Sequence, residues 1–228
     1  SLMRKRNIKL TIEYDGTGYA AWQEQLVHSP ESIVHRKKRQ KTIQQTIEDA
    51  LSRLTGEKIQ IIASGRTDAG VHAIGQAANF HTNCKIPADK IKDALNTHLP
   101  CDIVIRDSRE VNPNFNARFN AKSKIYRYTI VNSPVRIAIG RCYSLRINYP
   151  LNIGLMRKEA KALIGKKDFK SFCASGSSAK DTVRTIKNIA IKKFSVSNYG
   201  LRTMDYGLLT IDIEANGFLY NMARSIAG

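Results

Sequence analysis

Residues 41–56, "KTIQQTIEDALSRLTG", have the pattern of an amphipathic helix and lie between segments with the periodicity of strands. Apolar side chains recur along one helical face at Ile43, Ile47, Leu51 and Leu54. Thr42 and Gln45 have the spacing of a capping box, and Gly56 is a typical C-terminal stop. The segment therefore predicts a helix with defined ends, around which the neighbouring strands can be placed.

The segments around this helix alternate apolar and polar residues, as half-buried strands do. A strand, "NIKLTIEY" at 7–14, precedes it and is closed by the turn "DGTG". Two strands, a helix opened by a proline and a further strand follow it: "KIQIIAS" at 58–64, "IGQAANFHT" at 74–82, "PADKIKDALNTHL" at 87–99 and "DIVIRD" at 102–107. The order β-α-β-β-α-β predicts a ferredoxin-like (RRM-like) unit over residues 1–112.

The same order begins again in residues 113–228, after a polar connection that contains Pro113. The predicted elements are the strand "SKIYRYTIVN" at 123–132, the helix "NIGLMRKEAKALIG" at 152–165, two strands at 182–196 and 206–215, and the start of a helix at 218–228. We therefore expect an α+β protein with two ferredoxin-like halves. The second half lacks its last strand and part of its last helix, so we expect a C-terminal section beyond this sequence.

The composition favours a polyanionic partner. The chain has 37 Lys and Arg against 19 Asp and Glu, a formal net charge of +18 in 228 residues, and neutralising several phosphates releases counterions. No run approaches the roughly 20 apolar residues of a membrane span, and the N-terminal residues "SLMRKRNIKL" lack the apolar segment and cleavage site that we would expect of a signal peptide. The four cysteines form no CxxC pair, so we expect free thiols and no structural zinc.

A dense basic run lies between the first strand and the first helix, in "VHSPESIVHRKKRQKT" at 27–42. Its cations are Arg36, Lys37, Lys38, Arg39 and Lys41. Like charges at this density resist burial and predict a loop. Three interpretations are open: a phosphate contact, a nuclear address, or a solvated loop without a partner.

Asp68 is the candidate catalytic residue, because it lies on a predicted turn between Gly65 and Gly70 with Arg66 two residues before it. An ionised, positioned carboxylate can act as a nucleophile or a general base. Two alternatives are open for the same residues. One is a surface hairpin that Asp68 caps; the other is a metal site with His72 and His81, which the absence of HxH or HExxH spacing disfavours.

Four blocks in this order resemble the tRNA pseudouridine synthase A family and span nearly the whole chain. They are "IEYDGTGYAAWQ" at 12–23, "GRTDAGVHA" at 65–73, "FNARFNAKSKIYRY" at 115–128 and "NGFLYNMARSIAG" at 216–228. The resemblance implies isomerisation of uridine to pseudouridine in the anticodon stem-loop of tRNA, without cofactor or metal. It also implies that the two halves join their antiparallel sheets around a basic cleft, and that the protein is a cytoplasmic homodimer.

The resemblance assigns roles to four residues. Asp68 matches the catalytic aspartate, and Arg66 matches the arginine that pairs with it and holds the displaced nucleotide. Tyr126 matches the residue that stacks on the target base, and Arg224 matches an arginine that faces the aspartate. Two other functions are weighed against this one. A tRNA-binding or tRNA-folding module would have no use for an acid in a phosphate-rich groove, and a metal-dependent hydrolase would need ligand spacings that the sequence lacks.

Overall fold

The computed structural model describes residues 5–23, 41–177, 179–195 and 207–228. The chain is α+β and divides into two compact units, one ending at Ala121 and the other beginning at Lys122. Asn7 donates hydrogen bonds to the backbone carbonyls of Asn112 and Phe115, so the residues just after 111 are tied to the first unit. The domain boundary at 112/113 stays a prediction. The basic run Arg36–Arg39 lies outside the described residues.

The first unit contains a four-stranded antiparallel sheet with two helices. Its elements are β1 (Arg6–Tyr14), α1 (Ile43–Thr55), β2 (Ile62–Ala63), β3 (Ala73–Thr82), α2 (Ala88–Asn96) and β4 (Ile103–Val111). The strands are arranged β2-β3-β1-β4. All six elements were predicted, but β2 is much shorter than 58–64, because only Ile62 and Ala63 pair with β3.

One face of β1 carries the core of the first unit. Ile8, Leu10, Ile12 and Tyr14 are buried in a cluster with the apolar face of α1. The ends of α1 are as predicted: the Thr42 side chain accepts a hydrogen bond from the Gln45 N–H, and Gly56 adopts φ 71° and donates to Ser52 O. The opposite face of β1 is therefore left for other contacts.

The second unit contains a five-stranded mixed sheet in the order β6-β5-β9-β8-β7. Its elements are β5 (Lys124–Asn132), β6 (Leu145–Ile147), α3 (Ile153–Ala162), β7 (Gly165–Asp168), a 3₁₀ turn (Lys170–Phe172), β8 (Val183–Ser195), β9 (Gly207–Ala215) and α4 (Met222–Ala227). β6 runs parallel to β5, and the other pairs are antiparallel. The joining of the two sheets around a basic cleft stays a prediction.

The second unit differs from its predicted outline in three places. β6 and β7 were not predicted, because "LRI" is too short to show a strand period and "GKKD" does not alternate apolar and polar residues. α3 ends at Ala162, and Gly165 already belongs to β7 with φ 106°. Leu155 on α3 is half exposed, and the helix packs on the core through Met156, Ala160 and Leu163.

No helix in the described parts of the chain has the length and apolar character to cross a membrane.

Candidate active site

Asp68 lies on the connection from β2 to β3, and hydrogen bonds hold this connection at both ends. Before it, the Ser64 N–H donates to Ala77 O (2.8 Å), and the Gln76 side-chain amide donates to Gly65 O (3.0 Å). After it, the Val71 N–H donates to Asp68 O (3.2 Å). The Asp68 backbone is therefore fixed although the residue is only half-buried.

Thr67 anchors the connection in the core of the first unit. Its hydroxyl is hydrogen-bonded to the hydroxyl of Tyr14 (2.7 Å), and both residues are buried. Its carbonyl accepts a hydrogen bond from the N–H of buried Trp22 (3.0 Å). On either side of buried Thr67, Arg66 is exposed and Asp68 is half-buried.

The loop after β1 packs directly against the residues that follow Asp68. A Cβ atom on Gly16 would lie 2.1 Å from Val71 O, so only glycine fits at this position. The Gly16 N–H donates to Nδ1 of His72 (3.1 Å), and the Asp15 carboxylate lies 2.9 Å from the same nitrogen. Residues 12–23 therefore pack against residues 65–73 and support them.

A metal site at Asp68, His72 and His81 is not supported. His72 contacts Asp15 and Gly16, whereas His81 lies 3.3 Å from Pro113 O. In residues 5–23, 41–177, 179–195 and 207–228, no three His, Cys, Asp or Glu side chains are placed to share a metal ion.

Arg66 and Asp68 are neighbours on the connection but do not form an ion pair. Within the described residues, neither side chain has a hydrogen-bond or ion-pair partner. Arg66 is exposed. The pairing that the resemblance implies is thus absent from this structure, and both charges are open to a ligand.

Tyr126 lies on β5 in the second unit, opposite Ile213 of β9. Its ring meets the ring of Phe218 edge to face, with centroids 4.7 Å apart and planes at 76°. Both residues are half-buried. Phe218 was not predicted as a site residue, although residues 216–228 resemble the family. Its ring contact supports the ring of Tyr126.

Arg224 is exposed on the short helix α4. Asn221, directly before this helix, adopts the left-handed backbone conformation with φ 57°, which asparagine tolerates better than most residues. Its carbonyl accepts a hydrogen bond from the Ser225 N–H (2.9 Å), and the Tyr220 carbonyl accepts one from the Ala174 N–H (3.0 Å). These bonds fix the start of α4 and thereby the position of Arg224.

Next to Tyr126, on the opposite face of the sheet, Arg127 forms a two-point ion pair with Asp212. Arg127 Nε and Nη2 donate to the two carboxylate oxygens at 2.6 and 2.7 Å. These bonds hold the pKa of Asp212 below its usual range and raise the pKa of Arg127. Each of the two charges is paired with the other, so the ion pair has a structural role within the sheet.

Comparison with known proteins identifies related chains over almost the full length. Residues 11–120 and 160–228 match a family model described as tRNA pseudouridine synthase. The tRNA pseudouridine synthase A of Caldicellulosiruptor bescii is 47% identical over 98% of this chain and 82% of the relative. The proteins of the same name from Thermoanaerobacter sp. strain X514 and Acetivibrio thermocellus are each 44% identical with the same coverage.

Proposed function

Because this chain belongs to the tRNA pseudouridine synthase family, whose activity is an isomerisation, we propose that it converts uridine to pseudouridine in the anticodon stem-loop of tRNA with Asp68 as the catalytic carboxylate. One observation supports Asp68 above all others. Its backbone is fixed through Thr67 and Val71, while its side chain has no partner among the described residues. A carboxylate that is positioned but not paired is available to a substrate.

The isomerisation needs an ionised Asp68. The bond from C1′ of the ribose to N1 of uracil breaks, the base rotates, and a bond from C1′ to C5 forms; C5 loses its proton and N1 gains one. Attack on the base, attack on C1′ and abstraction of a ribose proton are the three roles open to the carboxylate, and each requires its charged form.

Arg66, Tyr126 and Arg224 are the proposed substrate-binding residues. A uridine in a paired stem must be extruded before it can react, which costs a few kcal/mol, and an aromatic face and an inserted cation offset part of that cost. Arg66 is exposed and unpaired within the described residues, and Phe218 restrains the ring of Tyr126. Arg224 supplies a second exposed cation.

The net charge of the chain and its membership of the family support a tRNA substrate, a place in the cytoplasm and a homodimer. A net charge of +18 supports a polyanionic substrate such as tRNA. We further propose that the protein acts in the cytoplasm as a homodimer, and that its two halves are ferredoxin-like. The strand order β4-β1-β3-β2 and the β-α-β-β-α-β sequence of the first unit support the last point.

Release of tritium from C5-labelled uridine tests the reaction and its position together. The protein is given an anticodon stem-loop and a T stem-loop, each at a concentration that saturates binding. We expect release from the anticodon stem-loop only. Equal release from both would contradict the proposed position, and bound RNA without any release would favour the non-catalytic tRNA-binding module. A chelator should leave the rate unchanged.

A further inference from the structure

The connection between β4 and β5 presents an aromatic ring and a cation to solvent. Phe119 is 78% exposed, and its neighbour Arg118 lies with its guanidinium carbon 5.7 Å from the centre of the Phe119 ring. Exposing a phenylalanine ring forgoes the hydrophobic stabilisation that its burial would give. A ring beside a cation is the arrangement on which proteins stack the bases of single-stranded nucleic acid.

This connection is bound tightly to the first unit by two buried asparagines. The Asn7 side-chain amide donates to the carbonyls of Asn112 (3.0 Å) and Phe115 (2.9 Å). The Asn79 side chain is fully buried; it donates to the Asn7 carbonyl oxygen (2.9 Å) and accepts from the Ala117 N–H (2.8 Å). Burying two amides is unfavourable unless their hydrogen bonds are made, and here they are made to the connection itself.

The last turn of the connection is fixed as well. The Asn116 side chain accepts hydrogen bonds from the N–H groups of Arg118 (3.0 Å) and Phe119 (3.3 Å). The Asn120 side chain accepts from the Asn116 N–H (2.8 Å). Arg118 and Phe119 are therefore presented on a braced backbone, so little conformational entropy would be lost when they bind a ligand.

We propose that Phe119 and Arg118 form a stacking site for an unpaired base of the substrate RNA, at which the base lies on the Phe119 ring and Arg118 contacts the adjoining phosphate. The proposal rests on the proposed function, which supplies RNA as the ligand. Stacking on an aromatic ring suits any base, and an adjacent arginine suits the phosphate. Lys9, 5.7 Å from the Phe115 ring in the same region, adds a further cation.

This site acts on binding and not on the isomerisation, because Arg118 and Phe119 belong to a different connection from Asp68 and are held by different hydrogen bonds. We expect loss of the ring to weaken RNA binding while the rate at saturating RNA stays unchanged. A residue that merely stabilised the fold would lower the melting temperature instead.

Fluorescence anisotropy with a labelled anticodon stem-loop tests the site. Phe119→Ala should raise the Kd about tenfold, as expected for one lost base–aromatic stack, and Phe119→Trp should restore binding. The matched control is Tyr149→Ala, which removes a ring that is 62% exposed in the second unit. An unchanged Kd for Phe119→Ala, or an equal loss in Tyr149→Ala, would overturn the proposal.

The cation is tested separately by the salt dependence of binding. Arg118→Gln should reduce the slope of log Kd against log salt concentration by about one, because one phosphate contact is lost. Arg53→Gln removes another exposed cation, from α1, which packs on the opposite face of the sheet, and should leave the slope unchanged. A slope that is the same in Arg118→Gln and wild type would rule out the phosphate contact.

Cross-linking locates the base directly. Anticodon stem-loops with 5-iodouridine at single loop positions should cross-link on irradiation to the peptide that contains Phe119. Cross-links confined to other peptides would overturn the site. Tritium release by the wild type distinguishes a failure of the stacking site from a failure of the proposed function. Release by the wild type with an unchanged Kd in Phe119→Ala refutes only the stacking site, whereas a wild type that neither binds nor isomerises the stem-loop refutes the proposed function as well.

Discussion

Asp68 and Asp212 each have an arginine nearby in the sequence or in the sheet. Asp212 is paired with its arginine, whereas Asp68 is not. Asp212 stands in the middle of β9 with its side chain 17% exposed, and it accepts two hydrogen bonds from Arg127 of the adjacent strand. Asp68 stands on a connection between strands, and its carboxylate has no partner within the described residues, although Arg66 is two positions away.

The comparison shows that spatial register, and not sequence distance, decides whether a carboxylate is paired. Arg127 and Asp212 are 85 positions apart but directly opposite each other in the sheet, where cross-strand side chains meet. Arg66 and Asp68 are only two positions apart in sequence, yet they form no ion pair with each other. The paired carboxylate stabilises a sheet, and the unpaired one is available for chemistry.

Replacing each aspartate by asparagine is the sharpest test of this comparison. Asp68→Asn should lower kcat about a thousandfold, because an amide cannot serve as nucleophile or general base. The melting temperature should be unchanged, since the carboxylate makes no hydrogen bond or ion pair within the described residues. Single-turnover tritium release at saturating RNA measures the rate.

Asp212→Asn is the matched control for this experiment. It should keep kcat close to that of the wild type and lose stability instead, because it removes the charge that pairs with Arg127 and one of the two oxygens that accept its hydrogen bonds. If Asp212→Asn were the inactive variant and Asp68→Asn the less stable one, the assignment of the two carboxylates would be reversed.

The second test disturbs the backbone that positions Asp68. Gly16→Ala places a methyl group 2.1 Å from Val71 O, so the connection must shift. We expect a loss of roughly 1–3 kcal/mol in the free energy of unfolding, as in overpacked sites, together with a lower kcat. Gly18→Ala is the control, because a Cβ there meets no atom within 4 Å. Equal stability of the two variants in urea unfolding would show that the close approach has no structural role.

Much of the fold and the position of Asp68 follow from local patterns, whereas the contacts around the site do not. The period of α1 and its Thr42 cap are local properties, and they were predicted. Asn7 and Asn79 are 72 positions apart, and nothing local indicates that they bind each other and the connection after β4. The same applies to the contact of Phe218 with Tyr126, which depends on where the chain returns after β9. The sequence alone does not indicate which residues that lie far apart in the chain come into contact.

The third test removes the hydroxyl that anchors the connection. Thr67→Val keeps the shape of the side chain but leaves the buried Tyr14 hydroxyl without this partner. We expect a cost of about 1–2 kcal/mol in urea unfolding and a lower kcat with an unchanged Kd for RNA. Thr67→Ser retains the hydroxyl and should restore kcat. If Thr67→Val and Thr67→Ser had the same kcat, the hydrogen bond would have no part in positioning Asp68.

The smallest expected effect is the contribution of the Asp212 ion pair, and its pH dependence identifies it. Because Arg127 is 54% exposed, solvent screens the pair, and we expect Asp212→Asn to cost only about 0.5–1 kcal/mol near neutral pH. The pKa of Asp212 is lower in the folded state than in the unfolded state. Its stabilisation is therefore fully present above the unfolded pKa of about 4 and is lost as the pH falls through the folded pKa.

Urea unfolding of wild type and Asp212→Asn between pH 7 and pH 2 measures this difference. The two stability curves should run parallel from pH 7 down to about pH 5 and converge at lower pH, since Asp212 becomes protonated while Arg127 keeps its charge. High salt should reduce the difference at pH 7, because half of the Arg127 side chain is in solvent. A difference that persists undiminished at pH 2 would mean that Asp212 stabilises β9 by packing rather than by its charge, and the contrast with Asp68 would then rest on burial alone.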